Sequence, residues 1–190
     1  GRDPTFFEFT TAMALDEFSR RRVDWAVIET GMGGRLDATN ILTPALSIIT
    51  NISLEHREYL GHTLRELAFE KAGIIKRRRP VVTGVRQASA IAVVTETALK
   101  RSAPLFRLGA QFRVRRASGG RFTYYGMNHI WPNMATSLRG GYQTENAALT
   151  LAACELLMQR ASRISTSSIR EGLITNRWPG RLELVCEMPL

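Results

Sequence analysis

The sequence predicts an α/β fold: a mostly parallel sheet with helices on both faces, plus one small antiparallel hairpin. Two observations carry this. From Phe6 to Leu108, helix-patterned segments alternate with short apolar runs rich in β-branched residues. Beyond them, two strand-like runs between Gln111 and Tyr125 flank Ser118-Gly119-Gly120, the composition of a hairpin turn.

The elements follow in order. Thr5-Phe6-Phe7-Glu8 has the capping-box form, a hydroxyl followed three residues later by a carboxylate. It opens a helix to about Arg22, with Phe7, Met13, Ala14 and Phe18 as an apolar stripe. Val23 to Glu29 reads as a short buried strand, broken by Gly31, Gly33 and Gly34. A second buried strand is expected over 45–49 and a loop over 51–61. Thr63-Leu64-Arg65-Glu66 is a second capping box, and its helix runs to about Ile75. Val81-Val82-Thr83 is a third strand stopped by Gly84. A helix over 88–101, a strand over 105–108, a long Ala- and Leu-rich helix over 143–159 and a short helix over 166–173 complete the pattern.

Composition narrows the function. The 190 residues are 44% hydrophobic and 23% charged, which are globular values and exclude a disordered tail or a collagen-like repeat. Cys154 and Cys186 are too few for a disulfide scaffold. No apolar run approaches the ~20 residues of a membrane span, so no membrane partner is expected. Gly1-Arg2-Asp3-Pro4 has no secretory pattern. A reducing cytoplasm is the expected location, and the start at Gly1 suggests a processed or truncated chain.

The formal charge is +9. A nucleic-acid-binding basic module is the alternative this raises, and it predicts binding that weakens steeply with salt. Yet the arginines are spread along the chain. The two clusters, Arg20-Arg21-Arg22 and Lys76-Arg77-Arg78-Arg79, read as a helix C-terminus and a loop. Neither is interleaved with stacking aromatics, so nucleic acid is not the expected partner.

In a parallel α/β sheet, ligands gather at the carboxyl ends of the strands. Two such ends carry chemistry. Glu29 is followed by the turn Gly31-Met32-Gly33-Gly34-Arg35-Leu36-Asp37, where glycines let a ligand approach the backbone and a carboxylate suits a hard cation. A tight turn with a solvated glutamate fits that spacing equally well. The second end leads to Glu55-His56-Arg57; His56 is either a loop histidine or a group that converges with Glu29. Lys71 has apolar helical neighbours, which suits a lowered pKa or simple snorkelling. Asn146 is a site residue or a helix cap, and Arg181 a site residue or surface.

Together these segments resemble the folylpolyglutamate synthase and dihydrofolate synthase family, within the Mur ligase superfamily of ATP-dependent amide-forming ligases. The likeness rests on Phe7-Glu8 with Thr10-Thr11, on the run from Val27 through Glu29-Thr30-Gly31-Met32-Gly33-Gly34-Arg35-Leu36-Asp37 to Asn40, and on Ile49-Thr50-Asn51-Ile52. It continues through Glu55-His56, Leu60-Gly61-His62-Thr63, Glu70-Lys71-Ala72-Gly73-Ile74, Gln143 with Asn146-Ala147, and Gly180-Arg181-Leu182-Glu183. The glycine-rich run is the most specific of these.

The resemblance implies a P-loop NTPase-like central domain. It implies that Glu29 and His56 ligate Mg²⁺, and that Lys71 is a lysine that becomes carbamylated and then binds a second Mg²⁺. Asn146 would lie near the ATP base and Arg181 near its phosphates. The implied reaction joins L-glutamate to a folate or dihydropteroate through an acyl phosphate, in an enzyme that is monomeric at full length. Glu55 stands where the family usually has aspartate. No Gly-x-x-x-x-Gly-Lys-Ser/Thr run occurs in the chain. The expected organisation is therefore an ATP-binding domain over 1–178 without its P-loop unit, then a linker over 179–190 that begins a further domain. Such a chain is expected to be inactive alone. A non-catalytic, partner-binding relic of the ligase fold is the remaining alternative.

Overall fold

The computed structural model describes residues 3–53, 61–158 and 164–180. Two compact units are present. The first comprises Gly1–Pro44, Ile52–Arg79 and Gln87–Ala103; the second comprises Ala45–Asn51, Pro80–Arg86 and Pro104–Leu190.

The first unit holds three helices: α1 (Phe6–Arg21), α2 (Leu64–Ala72) and α3 (Ala88–Lys100). Both capping boxes form as expected. The Thr5 hydroxyl accepts from the Glu8 N–H while the Glu8 carboxylate accepts from the Thr5 N–H, and Thr63 and Glu66 do the same for α2. Helix α1 is stabilised along its length by local pairs, and its Phe7 ring packs over Gly31. Arg20 pairs with Asp16 at 2.8 Å and Arg21 pairs with Glu17 one turn earlier. Arg22, in the left-handed region, closes its C-terminus. None of its residues is buried, and Phe6 is 83% exposed. Helices α2 and α3 instead pack on each other, burying Leu67, Ala68, Ala72, Ile91, Val94 and Ala98.

The segment Val23–Glu29 corrects an expectation. It joins no ladder among the described residues, and Val27 is 100% exposed. An apolar, β-branched run has the propensity for a strand, but a strand exists only through a hydrogen-bonded neighbour. Pairing partners are what the described residues do not give it.

The second unit carries both sheets. Strands β1 (Ser47–Ile49), β2 (Val81–Thr83) and β3 (Leu105–Arg107) form a parallel sheet in the order β1-β2-β3, with Ile48 opposite Val82 and Val82 opposite Phe106. Each connection between neighbours runs through a helical segment, as parallel pairing requires. The expected hairpin is the first half of a three-stranded antiparallel sheet: β4 (Arg113–Arg116), β5 (Phe122–Tyr125) and β6 (Ile130–Met134). Strand β6 carries Pro132 and a positive-φ Asn133, which disguise it in the sequence. Helix α4 (Gln143–Met158) packs on β2, β4 and β5, and α5 (Thr166–Thr175) packs on α4. Their core joins Val82, Phe112, Phe122, Tyr124, Trp131 and Leu151.

One polar group is built into that core. Glu155 on α4 is 0% exposed, yet its carboxylate is saturated with donors. It accepts from the Tyr124 hydroxyl (2.8 Å) and from the Met127, Asn128 and His129 N–H groups (3.0, 2.5 and 2.9 Å), with the His129 ring at 3.2 Å. This pins the β5–β6 connection to α4 and satisfies buried polar atoms that would otherwise be costly. Burial, and then the adjacent Glu155 carboxylate, push the Tyr124 hydroxyl far above its ordinary pKa.

Candidate active site

The glycine-rich run and the Glu70–Ile74 segment lie far apart in sequence. The fold joins them. Residues 33–40 dock onto the C-terminal end of α2 through main-chain contacts. The Arg35 N–H donates to the Glu70 carbonyl at 2.8 Å. The Asn40 side-chain amide donates to the carbonyls of Arg35 (2.9 Å) and Gly73 (3.2 Å), tying both segments with one group. Lys76 donates its ammonium to the Asn40 carbonyl at 2.6 Å. The Arg35 guanidinium grips Glu70 through Nη2 and Nε at 3.0 and 3.1 Å and lies 5.4 Å over the Phe69 ring.

Two glycines make this approach possible. At Gly34, with φ +158°, an added Cβ would stand 2.9 Å from the Glu70 carbonyl oxygen and 2.9 Å from an Ile74 methyl. At Gly73 it would stand 2.4 Å from the Arg35 Cα and Cβ. At Gly34, therefore, it is α2 that the missing side chain admits.

The turn is fixed internally as well. Asp37 caps a short 3₁₀ helix, Ala38–Ile41, accepting from the Thr39 N–H (3.0 Å) and hydroxyl (2.5 Å) and from the Met32 N–H (2.9 Å). Partial burial opposes the Asp37 charge, but the bonds from Thr39, Met32 and Gly31 outweigh it and hold the carboxyl below its ordinary value of 3.8.

The expected site residues fare differently. Lys71 lies in the last turn of α2, half-buried, between the Glu70 and Gly73 docking points. Its ammonium has no hydrogen-bond or ion-pair partner among the described residues. Glu29 is exposed just before the glycine turn, and its carboxylate is likewise unpartnered among the described residues. Asn146 is exposed in the first turn of α4. It is not the cap; its amide donates to the Oε1 of buried Gln143 at 3.1 Å. His56, Glu55 and Arg181 lie outside the described residues. Among the described residues, no three His, Cys, Asp or Glu side chains gather as a metal centre. Asn40, Lys76 and Arg35, which assemble the site, carried no signal of their role in sequence: the partners of Asn40 and Lys76 are mostly main-chain groups more than thirty residues away.

Residues 3–154 match the Mur ligase middle domain. The chain belongs to that family. It is 40% identical over 192 residues, 98% of its own length, to a dihydrofolate synthase/folylpolyglutamate synthase of Bacillus subtilis. It is 38% identical, again over 98% of its length, to a folylpolyglutamate synthase of Lacticaseibacillus casei. It spans 45% of the length of each. A solved FPGS-AMPPCP-folate complex superposes with a TM-score of 0.93 at 38% identity, covering 98% of this chain and 47% of that one. The expected α/β class, with its parallel sheet, is thus the architecture of this family.

Proposed function

We propose that the chain is the ATP-binding middle part of an enzyme that joins L-glutamate to a folate or dihydropteroate. The observation that supports this best is the docking of the glycine turn on the helix end that carries Lys71. It brings the most family-specific segment and the one that carries Lys71 into one structure whose solved neighbour is a complex with a nucleotide analogue and folate.

The chemistry is amide synthesis. The γ-phosphoryl of ATP passes to a substrate carboxylate oxygen and ADP departs. The glutamate amine then attacks the acyl carbon, loses a proton, and inorganic phosphate leaves. For such transfers the protein supplies position and charge neutralisation. Glu29 offers an exposed hard oxygen donor, unpartnered among the described residues and just before the glycine turn, which fits a magnesium ligand. Lys71, half-buried and unpartnered among the described residues, fits a lysine whose deprotonated amine adds carbon dioxide and releases a proton to form a carbamate, a change that turns a cation into a further oxygen donor. His56 would complete the first ligand set, while Asn146 and Arg181 would contact the nucleotide. Bound magnesium would neutralise charge on the phosphates. A cytoplasmic, monomeric full-length enzyme accords with this reading. Among the described residues no helix is long and apolar enough to cross a membrane.

The test is incorporation of labelled glutamate into a folate or dihydropteroate by the full-length protein. Incorporation that requires both ATP and Mg²⁺ supports the reading. ATP- and folate-independent behaviour in the same assay overturns it.

A further inference from the structure

The basic run Lys76-Arg77-Arg78-Arg79 plays no part in the reaction above. Its first member lies at a cavity of about 270 Å³ in the first unit. Arg35 and Asn40 of the glycine turn, Phe69 of α2, Lys76, Thr97 of α3 and Arg101 line it. Three cations from three separate segments converge here, and no carboxylate is among the lining residues. Arg35 is answered by Glu70 at 3.0 Å. Among the described residues the Lys76 ammonium meets only the neutral Asn40 carbonyl. The Arg101 guanidinium has no partner among the described residues, although its main-chain carbonyl anchors the basic loop by accepting from the Arg78 N–H at 3.0 Å. Burial, and secondarily the Arg101 charge, lower the Lys76 pKa. Both cations thus line one cavity, Lys76 half-buried and Arg101 exposed.

Arg101 is also the C-cap of α3, where a cation complements the helix dipole. That accounts for one of the three charges and for its place on the helix. It does not account for a lysine from another segment lining the same cavity.

We propose that this cavity binds a compact phosphate-type oxyanion, held by Arg101 and Lys76 and walled by Phe69. Guanidinium and ammonium groups are the usual phosphate partners, one as a planar fork and the other as a point charge. The volume accommodates inorganic phosphate or the phosphoryl end of a larger metabolite, below the usual range for drug-sized ligands. Because Lys76 also holds Asn40, an anion there bears on the same clamp that docks the glycine turn.

The chain has three lysines, Lys71, Lys76 and Lys100, so lysine acylation read by peptide mass reports on the cavity directly. The full-length protein is acylated with and without inorganic phosphate at constant ionic strength, with chloride as the matched salt. Phosphate is expected to protect Lys76 saturably and to leave Lys100, on the exposed end of α3, unchanged. Arg101→Gln should weaken that protection about tenfold, the worth of one charge-assisted hydrogen bond. Protection by glycerol 3-phosphate as well would support a metabolite's phosphoryl end, and protection by phosphate alone the free ion. Equal Lys76 acylation in phosphate and chloride overturns the proposal, as does protection that survives Arg101→Gln. The unsubstituted protein alone decides the first point, so a misfolded variant does not leave the proposal standing.

Discussion

Residues 33–40 and residues 23–30 are neighbours in the chain, yet among the described residues only the first set is tied by hydrogen bonds to residues 70–76. The docked half is crossed by hydrogen bonds from Arg35, Asn40 and Lys76, and its Asp37 is saturated with donors. The preceding half joins no ladder among the described residues and exposes Val27 fully. The proposed chemistry follows the same division. Residues that build the shape, Gly34, Arg35, Asn40 and Gly73, are spent on each other. Residues proposed to act on substrate, Glu29 and Lys71, keep their polar ends unpartnered among the described residues. Substitutions on the two sides should therefore separate stability from activity.

The largest stability effect is expected at Gly73→Ala. Its backbone is ordinary right-handed helix, so the added methyl carries no conformational strain. Its Cβ would instead meet the Arg35 backbone at 2.4 Å, and the turn must move away. A loss of about 3 kcal/mol is expected, measured as a fall in the denaturant midpoint. Asn40→Leu comes next. It removes two hydrogen bonds and strands the Arg35 and Gly73 carbonyls, for a loss of about 2 kcal/mol in the same measurement.

Asp37→Asn should act through pH. The folded carboxyl titrates below 3.8, so the charge contributes stability above that value, and the contribution is lost as the pH falls through the lower folded pKa. The variant should be less stable than the parent at neutral pH, and the gap should close under acid. Melting curves across that range read both. The smallest effect belongs to Glu70→Gln. Its partner Arg35 is 42% exposed, so solvent screens the pair and about 0.5 kcal/mol is expected, shrinking with added salt.

Much of this architecture is legible in the residues because it is local. Thr5 with Glu8 and Thr63 with Glu66 announce their helices by spacing alone, and Gly84 ends β2 where the apolar run stops. The failures are non-local. Val23–Glu29 has a strand's composition, but pairing depends on what lies beside it. Strand β6 hides behind Pro132 and Asn133, and only Trp131 and Met134 facing the core give it away. At the candidate site, the glycine run and Lys71 stand out as residue types. Their union does not, because Asn40 acts through carbonyls that any residue carries. The buried Glu155 is equally silent, since its partners lie on β5 and the β5–β6 connection, 26 to 31 residues earlier.

The most direct test is Glu29→Gln in the full-length protein, with glutamate ligation and melting temperature measured side by side. The account predicts an unchanged melting temperature and a loss of ligation of about a hundredfold or more, as befits removal of a charged group from a phosphoryl-transfer site. Ligation at the parent rate would contradict it.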